Sequence, residues 1–231
     1  DWADVFARAA ELERTGRVVI EGIFSHVSNT HEDEDAAAAA EFDRALELAR
    51  AAGLAPDFIH LSASLTALTM PELNYSMVRV GLAAYGLSPI DGRDPSEFGL
   101  RPVMTVRSQV AAVRRVPAGV GVSYDYTYRP ESETTLALVP VGYGEGVPRA
   151  GSNRAPVQVA GVTSRVAGRV AMDQVVVDMG DSSVAVGDDV VLFGDPSRGV
   201  PSAAQWATAC ETNVYEIVTR MGGRLTRVVV E

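Results

Sequence analysis

The sequence contains no lysine. All 20 of its Lys/Arg positions are arginine, although lysine is ordinarily among the commonest residues. No Schiff base can therefore form on a lysine of this chain. The accompanying wealth of Ala, Val, Arg and Gly points to a coding bias of the source genome. Cysteine is nearly absent too. The single Cys210 excludes an internal disulfide framework and fits a reducing, cytoplasmic setting. Its helical context predicts a buried free thiol without chemistry. Positive charge is short: the net charge is −10 and the pI about 4.8. Such a chain repels phosphate backbones, so nucleic acid is not an expected partner. No apolar run approaches the roughly 20 residues of a membrane helix. The opening DWADVFARAA has no basic-then-apolar leader pattern. It begins inside an amphipathic pattern, with Trp2, Val5, Phe6, Ala9 and Leu12 at helical spacing, and this predicts a chain whose N-terminal part is missing.

What is present is an ordinary globular composition: 231 residues, 47% hydrophobic and 22% charged. That suffices for one large domain or two small ones. The first third alternates. Residues 1–15 read as a helix, 17–27 (RVVIEGIFSHV) as a buried strand, and 33–53 as a helix opened by acidic residues and closed by Gly53. Residues 57–62 (DFIHLS) read as a second strand, SLTALTM as a short helix cut by Pro71, and 75–86 (YSMVRVGLAAYG) as a third strand. This is a βαβ pattern with a parallel sheet, its strands near 18–25, 57–61 and 77–84. Three such units cannot close a barrel that takes eight. They fit the last part of a (β/α)8 TIM-type barrel, over residues 1–88.

A Pro/Gly/Asp-rich connector (87–99) follows, and the periodicity changes. Residues 100–116 read as one long strand. Short strands are expected in TTLALVPVGYG, APVQVAG, VTSRVAGRV, QVVVDMGD and DDVVLFGD, then helices in SAAQWATAC and NVYEIVTRMG, and a final strand in RLTRVVVE. Residues 89–231 thus predict an antiparallel β-barrel or sandwich. The fold class is α/β plus β.

Chemistry-bearing residues are few. The histidines are His26, His31 and His60. His26 and His60 sit near the C-terminal ends of expected parallel strands, where barrel enzymes keep their sites, although a histidine there often serves only as a hydrogen-bonder. Arg79 lies between Val78 and Val80, and a guanidinium in an apolar strand needs a partner. A salt bridge in the barrel wall would also meet that need. HEDED (31–35) lacks metal-ligand spacing and reads as the acidic first turn of a helix, so no metal site is expected. Gly81 permits close backbone approach, and successive N–H groups there could hold a phosphate. In PAGVGVSYDYTY (117–128), Tyr124, Tyr126 and Tyr128 follow a Gly-rich turn. They alternate onto one face of any regular strand, so the residues alone leave packing and catalysis both open.

Taken in order, HLSAS, VRVGLAAYGLSP, GLRPVMTVRSQV, VPAGVGVSYDYTY, VPVGYGEGVPR, GRVAMDQ, VGDDVVLFG and NVYEIVTR resemble the C-terminal portion of alanine racemases. The ordered set is specific where each motif alone is weak. The resemblance implies a pyridoxal 5'-phosphate enzyme that interconverts L-alanine and D-alanine, supplying D-alanine for peptidoglycan. It implies a head-to-tail homodimer with sites shared between subunits, so that Tyr124 would lie far from Arg79 of its own chain and close to that of a partner. It makes Tyr124 the catalytic phenol, with Tyr126 and Tyr128 as packing. Arg79 would face the pyridine nitrogen, supported by His60. Ser64, Tyr215 and the backbone of Gly81 and Leu82 would contact the phosphate, and His26 would lie beside the cofactor ring. Met172 would meet the substrate carboxylate through its backbone, and Tyr143 would line the access channel. The family's other base, a lysine in a KADAYG-type motif, is not in this sequence, nor is the arginine that grips the substrate carboxylate. Ala63 stands where the family often has asparagine, Ala171 where it often has cysteine, and NVYE replaces the usual INYE.

A phenol with an ordinary pKa of about 10 needs positive neighbours or donors to work near pH 7. An arginine or histidine is expected near Tyr124, with Asp125 turned away. Two other readings carry forward: an inactive fragment serving assembly or binding, and a racemase for another small amino acid such as serine.

Overall fold

The computed structural model describes residues 1–29 and 31–230. The chain divides into two compact units. The first comprises Asp1–Ala84 and Ser88–Leu100, the second Tyr85–Leu87 and Arg101–Glu231.

The first unit is a small α/β assembly. Helix α1 spans Trp2–Arg14, and the side chain of Asp1 caps it by accepting from Ala3 N. Helix α2 spans Glu32–Ala51, with four acidic residues in its first turn and Arg50 in its last, both favourable to the helix dipole. Its buried positions Ala39, Phe42, Leu46 and Ala49 fall on one face, as a 3.6-residue period requires. Phe42 and Leu46 pack with Val27 and Leu61, and each such burial contributes about 1.5–3 kcal/mol. Strands β1 (Gly22–Phe24) and β2 (Phe58–His60) pair in parallel, Phe24 opposite His60. Helix α3 (Ser64–Thr69) follows.

The three long parallel strands expected here are shorter in the structure. Of 17–27, only Gly22–Phe24 pairs. Residues 75–86 do not form a strand: Arg79 makes one isolated parallel bridge to Ala63, and Leu82–Tyr85 turn into a 3-10 helix. The reason lies in the backbone. Ser76 and Met77 both donate to Ile59 O, Arg79 N donates to Ser62 O, and Gly81 N and Ala83 N are drawn to the Ser64 hydroxyl. No regular ladder survives that sharing.

The second unit is antiparallel. Strands β3 (Val106–Gln109), β9 (Asp189–Phe193), β6 (Pro156–Val159) and β7 (Val162–Arg165) form one sheet in that order. Strands β4 (Ala112–Val116), β5 (Thr134–Val139) and β8 (Val175–Asp178) form another. The single strand expected over 100–116 is therefore two strands in different sheets. Val110 N still bonds to Asp188 O on the first side, while Ala111 N bonds to Leu138 O on the second. One residue changes the ladder. Alternate strand residues face inward, so Val157, Val159, Val177, Val190 and Leu192 are all buried.

Helices α4 (Ala203–Cys210) and α5 (Val214–Arg220) are capped by Ser202 and Asn213. Fully buried Trp206 donates its indole N–H to Leu192 O at 2.6 Å, and Cys210 is a buried free thiol. RLTRVVVE is not a strand over its described residues 224–230. Val228, Val229 and Val230 are exposed, so β-propensity there has no ladder to join. Among the described residues, no helix is long and apolar enough to cross a membrane and no group of metal-ligating side chains occurs.

Candidate active site

Two clusters carry the residues singled out from sequence, one in each unit.

In the first unit, β1, β2 and the 79–83 segment bring His26, His60, Ser64, Arg79, Gly81 and Leu82 together. The guanidinium of Arg79 forks. Its Nη1 lies 2.8 Å from His60 Nδ1, and its Nη2 lies 2.9 Å from His26 Nδ1. It also donates to Leu61 O at 3.2 Å. Arginine can only donate. Both Nδ1 atoms must therefore accept, which fixes both imidazoles as neutral tautomers protonated at Nε2. Burial lowers the His60 imidazole below its ordinary 6.5, and the Arg79 charge lowers it further. Phe24 stacks on His60, ring centroids 5.1 Å apart and planes nearly parallel. The partner that Arg79 needs is thus a pair of histidines, not a salt bridge.

Beside it, buried Ser64 opens α3 and accepts from Gly81 N and Ala83 N, both at 3.2 Å. Leu82 N lies between these donors and has no hydrogen-bond partner among the described residues. A Cβ built on Gly81 would meet nothing within 4 Å, so the backbone opens onto free space. A hydroxyl, a free N–H and an open approach together suit an anion such as a phosphate ester.

In the second unit, Tyr124, Tyr143 and Met172 line one cavity of about 440 Å3 with Arg149, Val170 and Ala171. Tyr124 also borders a second cavity, of about 320 Å3, with Ser123, Arg169 and Gln174. The segment after β5 runs directly against residues 171–173. Tyr143 N donates to Ala171 O and Gly144 N to Met172 O. A Cβ on Gly142 would stand 2.3 Å from Ala171 O, so only glycine permits this approach. Met172 N remains without a partner among the described residues and is free to bind a carboxylate. Below the pair, the Arg224 guanidinium, 2.7 Å from buried Glu145, holds that carboxyl below the usual range. Glu145 in turn accepts from Gly142 N.

The tyrosine segment is not a strand. Tyr124–Tyr126 form a 3-10 turn, and Ser123, Asp125 and Tyr126 all have φ between 48° and 60°. Such non-glycine conformations cost about 1–3 kcal/mol each and tend to mark functional sites. The three tyrosines consequently do not share a face. Tyr124 is 68% exposed, and its hydroxyl makes no hydrogen bond among the described residues. Tyr126 lies under the Arg129 guanidinium and against Gly121. Tyr128 turns inward to Asp178. Asp125 has an ionic partner: Arg169 Nε is 2.6 Å from its Oδ2. The N–H is misaligned for a hydrogen bond, so the contact is an ion pair between a buried guanidinium nitrogen and an exposed carboxylate.

The family models decide the kinship. Residues 1–89 match the alanine racemase N-terminal domain, and residues 103–229 match the alanine racemase C-terminal domain. The chain belongs to the alanine racemase family. It is 47% identical over 231 residues to an alanine racemase of Thermobifida fusca (strain YX), covering 99% of this chain and 61% of that protein. Against an alanine racemase of Salinispora arenicola the identity is 46%, with 96% and 60% covered. The solved alanine racemase from D-cycloserine producing Streptomyces lavendulae superposes with a TM-score of 0.94 at 45% identity, over 100% of this chain and 62% of that one. The Streptomyces coelicolor A3(2) enzyme gives a TM-score of 0.95 at 43% identity, over 99% and 61%. The chain therefore spans about three fifths of the length of these racemases.

Tyr215 is half exposed on α5 and lines neither cavity described here. Sequence reasoning passed over Arg149 and Arg169, which bring positive charge to the Tyr124 cavities. Both stand inside racemase motifs, VPR and GRVAMDQ. The demand of a phenol for cationic neighbours was the available signal.

Proposed function

We propose that this chain forms part of a pyridoxal 5'-phosphate-dependent alanine racemase, in which Tyr124 exchanges a proton with the substrate Cα on one face. A lysine outside this chain serves the other face, since the chain has none. The observation that carries the reading is Arg79 held by two neutral imidazoles beside the Ser64–Gly81–Leu82 anion cradle.

The cradle suits the cofactor phosphate, with Tyr215 as a further contact. Arg79 suits the pyridine nitrogen as a permanent donor, His60 fixes its direction, and His26 flanks the ring. When bound, the cofactor supplies an electron-withdrawing ring that acidifies the Cα proton. Because Arg79 donates and cannot yield its proton near neutral pH, it would hold the ring nitrogen as a permanent donor, and the bound ring would then supply a moderated electron withdrawal that disfavours side reactions. The free Met172 N–H binds the substrate carboxylate, and Tyr143 lines the access channel. Arg149 and Arg169 line the cavities that Tyr124 borders. The second unit of one subunit meets the first unit of its partner in a homodimer, so each site is shared. The product is D-alanine for peptidoglycan, made in the cytoplasm.

The test is racemisation of L-alanine and L-serine by the full-length protein and by the 231-residue chain alone. The expected result is alanine turnover by the full-length protein, much slower serine turnover, and none by the isolated chain. Serine turnover above that of alanine, or normal turnover by the isolated chain, contradicts the reading.

A further inference from the structure

The strained turn that carries Tyr124 raises a question its own contacts do not answer. The hydroxyl of the exposed Tyr124 has no hydrogen-bond partner among the described residues. Its position is set by the base of its loop. The loop closes where Val122 and Tyr128 form an antiparallel bridge, Val122 N donating to Tyr128 O at 3.0 Å. Farther down, Gly119 N donates to Pro130 O. At that base the Tyr128 hydroxyl donates to Asp178 Oδ2 at 2.5 Å. Asp178 is itself fixed, because its other oxygen accepts from Thr134 Oγ1 and, at 2.9 Å, from Gly180 N. It ends β8, which is paired to β5.

We propose that the Tyr128–Asp178 hydrogen bond is a positioning device for Tyr124, anchoring the strained loop to the β5–β8 sheet so that the phenol meets the substrate Cα. The inference rests on Tyr124 being the catalytic phenol. Three residues of the turn hold positive φ without being glycine, and such backbone persists only when its surroundings over-determine it. The other anchors are lighter. Ser123 Oγ donates to Arg169 O, Asn153 Nδ2 to Thr127 Oγ1, and the Asp125–Arg169 pair is misaligned for a hydrogen bond and does not reach a strand. Among the described residues, the Tyr128 anchor alone ties the loop to a sheet by a part-buried, charge-assisted bond, the strong kind.

Tyr128 suits this role and not proton transfer. Burial and then the Asp178 hydrogen bond and charge push its phenol up to about 12, so it stays a donor throughout the working range. For Asp178, burial raises the carboxyl, but the bonds from Thr134, Tyr128 and Gly180 N outweigh it and hold the group below its usual value. It remains an acceptor. Donor and acceptor are both locked in the state the bond requires.

The experiment is a double-mutant cycle in the full-length holoenzyme. Tyr128→Phe keeps the ring and removes the bond. It should lower kcat about 10- to 100-fold, the scale of a misplacement near 1 Å, with little change in KM. The α-deuterium isotope effect on kcat should grow for one alanine enantiomer only. In a Tyr124→Phe background the same change should cost nothing further. Val190→Ala serves as the control. Val190 is fully buried on β9, in the other sheet of this unit, so the cavity should lower Tm and leave kcat alone. If Tyr128→Phe fails to fold, Asp178→Asn read in both backgrounds replaces it. A loss confined to enzymes that retain Tyr124 supports the inference. A loss of equal size in both backgrounds, or an unchanged kcat, overturns it. Wild-type kcat in Tyr124→Phe itself is a separate result, which overturns the catalytic reading and the positioning together.

Discussion

In the proposed site Arg79 is the residue on which the cofactor side turns, and that role depends on what its neighbours are not. Neither His26 nor His60 can be an imidazolium while its Nδ1 accepts from the guanidinium. The lowered His60 value means the unfolded chain binds the proton more readily than the folded one. The stability this gives is fully present above the ordinary histidine value of about 6.5 and is lost as pH falls through the lower folded value. Thermal unfolding of the full-length protein should therefore show Tm declining below about pH 6.5. His60→Asn, whose amide oxygen can accept in place of Nδ1, should flatten that decline. An equally steep decline in the variant would place the titration elsewhere. Lysine is no substitute for Arg79, because one ammonium cannot reproduce a planar fork aimed at two rings.

At the scale of elements, the loop from β4 to β5 and the segment before β8 are built against each other. Gly168, at φ +83°, is the contact. A Cβ there would come within 2.6 Å of Val122 O and 2.9 Å of Ser123 Cβ. Gly168→Ala should cost about 1–3 kcal/mol through strain and overpacking and displace the Tyr124 turn. Urea unfolding and racemase assays on one preparation should show both losses; a fully active, fully stable variant would contradict the packing described.

Helices α1, α2, α4 and α5 were legible in the sequence because a 3.6-residue apolar period and capping residues mark them. The short strands of the second unit were legible because alternation and glycine turns mark those. The 75–86 segment was not, since its backbone hydrogen bonds go to Ser64 and to loop carbonyls that no local pattern shows. The break at Val110–Ala111 was hidden because apolar residues continue across a change of sheet. The tyrosine turn deceived for the opposite reason. Alternating aromatics imitate a strand, whereas positive φ at Ser123, Asp125 and Tyr126 leaves no signature without glycine. Within the site, Arg79, His26 and His60 announced themselves as polar groups in or at the ends of expected apolar strands, and the roles of Ser64, Tyr124, Tyr143 and Met172 came only through the family resemblance. Arg149 and Arg169, as surface-like arginines in a chain rich in them, carried no signal beyond the demand of the phenol for cationic neighbours.

For the whole molecule, the proposal divides the site between two subunits, and a complementation experiment follows from it. Full-length Tyr124→Phe and Arg79→Ala proteins are each expected to be inactive as homodimers. Unfolded together and refolded, they should form hybrids in which one site combines an intact Arg79 with an intact Tyr124 from the other chain, restoring about a quarter of wild-type activity by random pairing. No recovery, with hybrids demonstrated, would place Tyr124 and Arg79 of one chain in the same site.

The central claim is that Tyr124 moves the substrate proton on one face. It is tested most directly by Tyr124→Phe in the full-length, cofactor-loaded enzyme, following racemisation and solvent deuterium incorporation at Cα from each enantiomer. The account predicts retained cofactor, racemisation reduced by orders of magnitude in both directions, and deuterium incorporation that persists for one enantiomer and is lost for the other. Racemisation and exchange at wild-type rates from both enantiomers would contradict it.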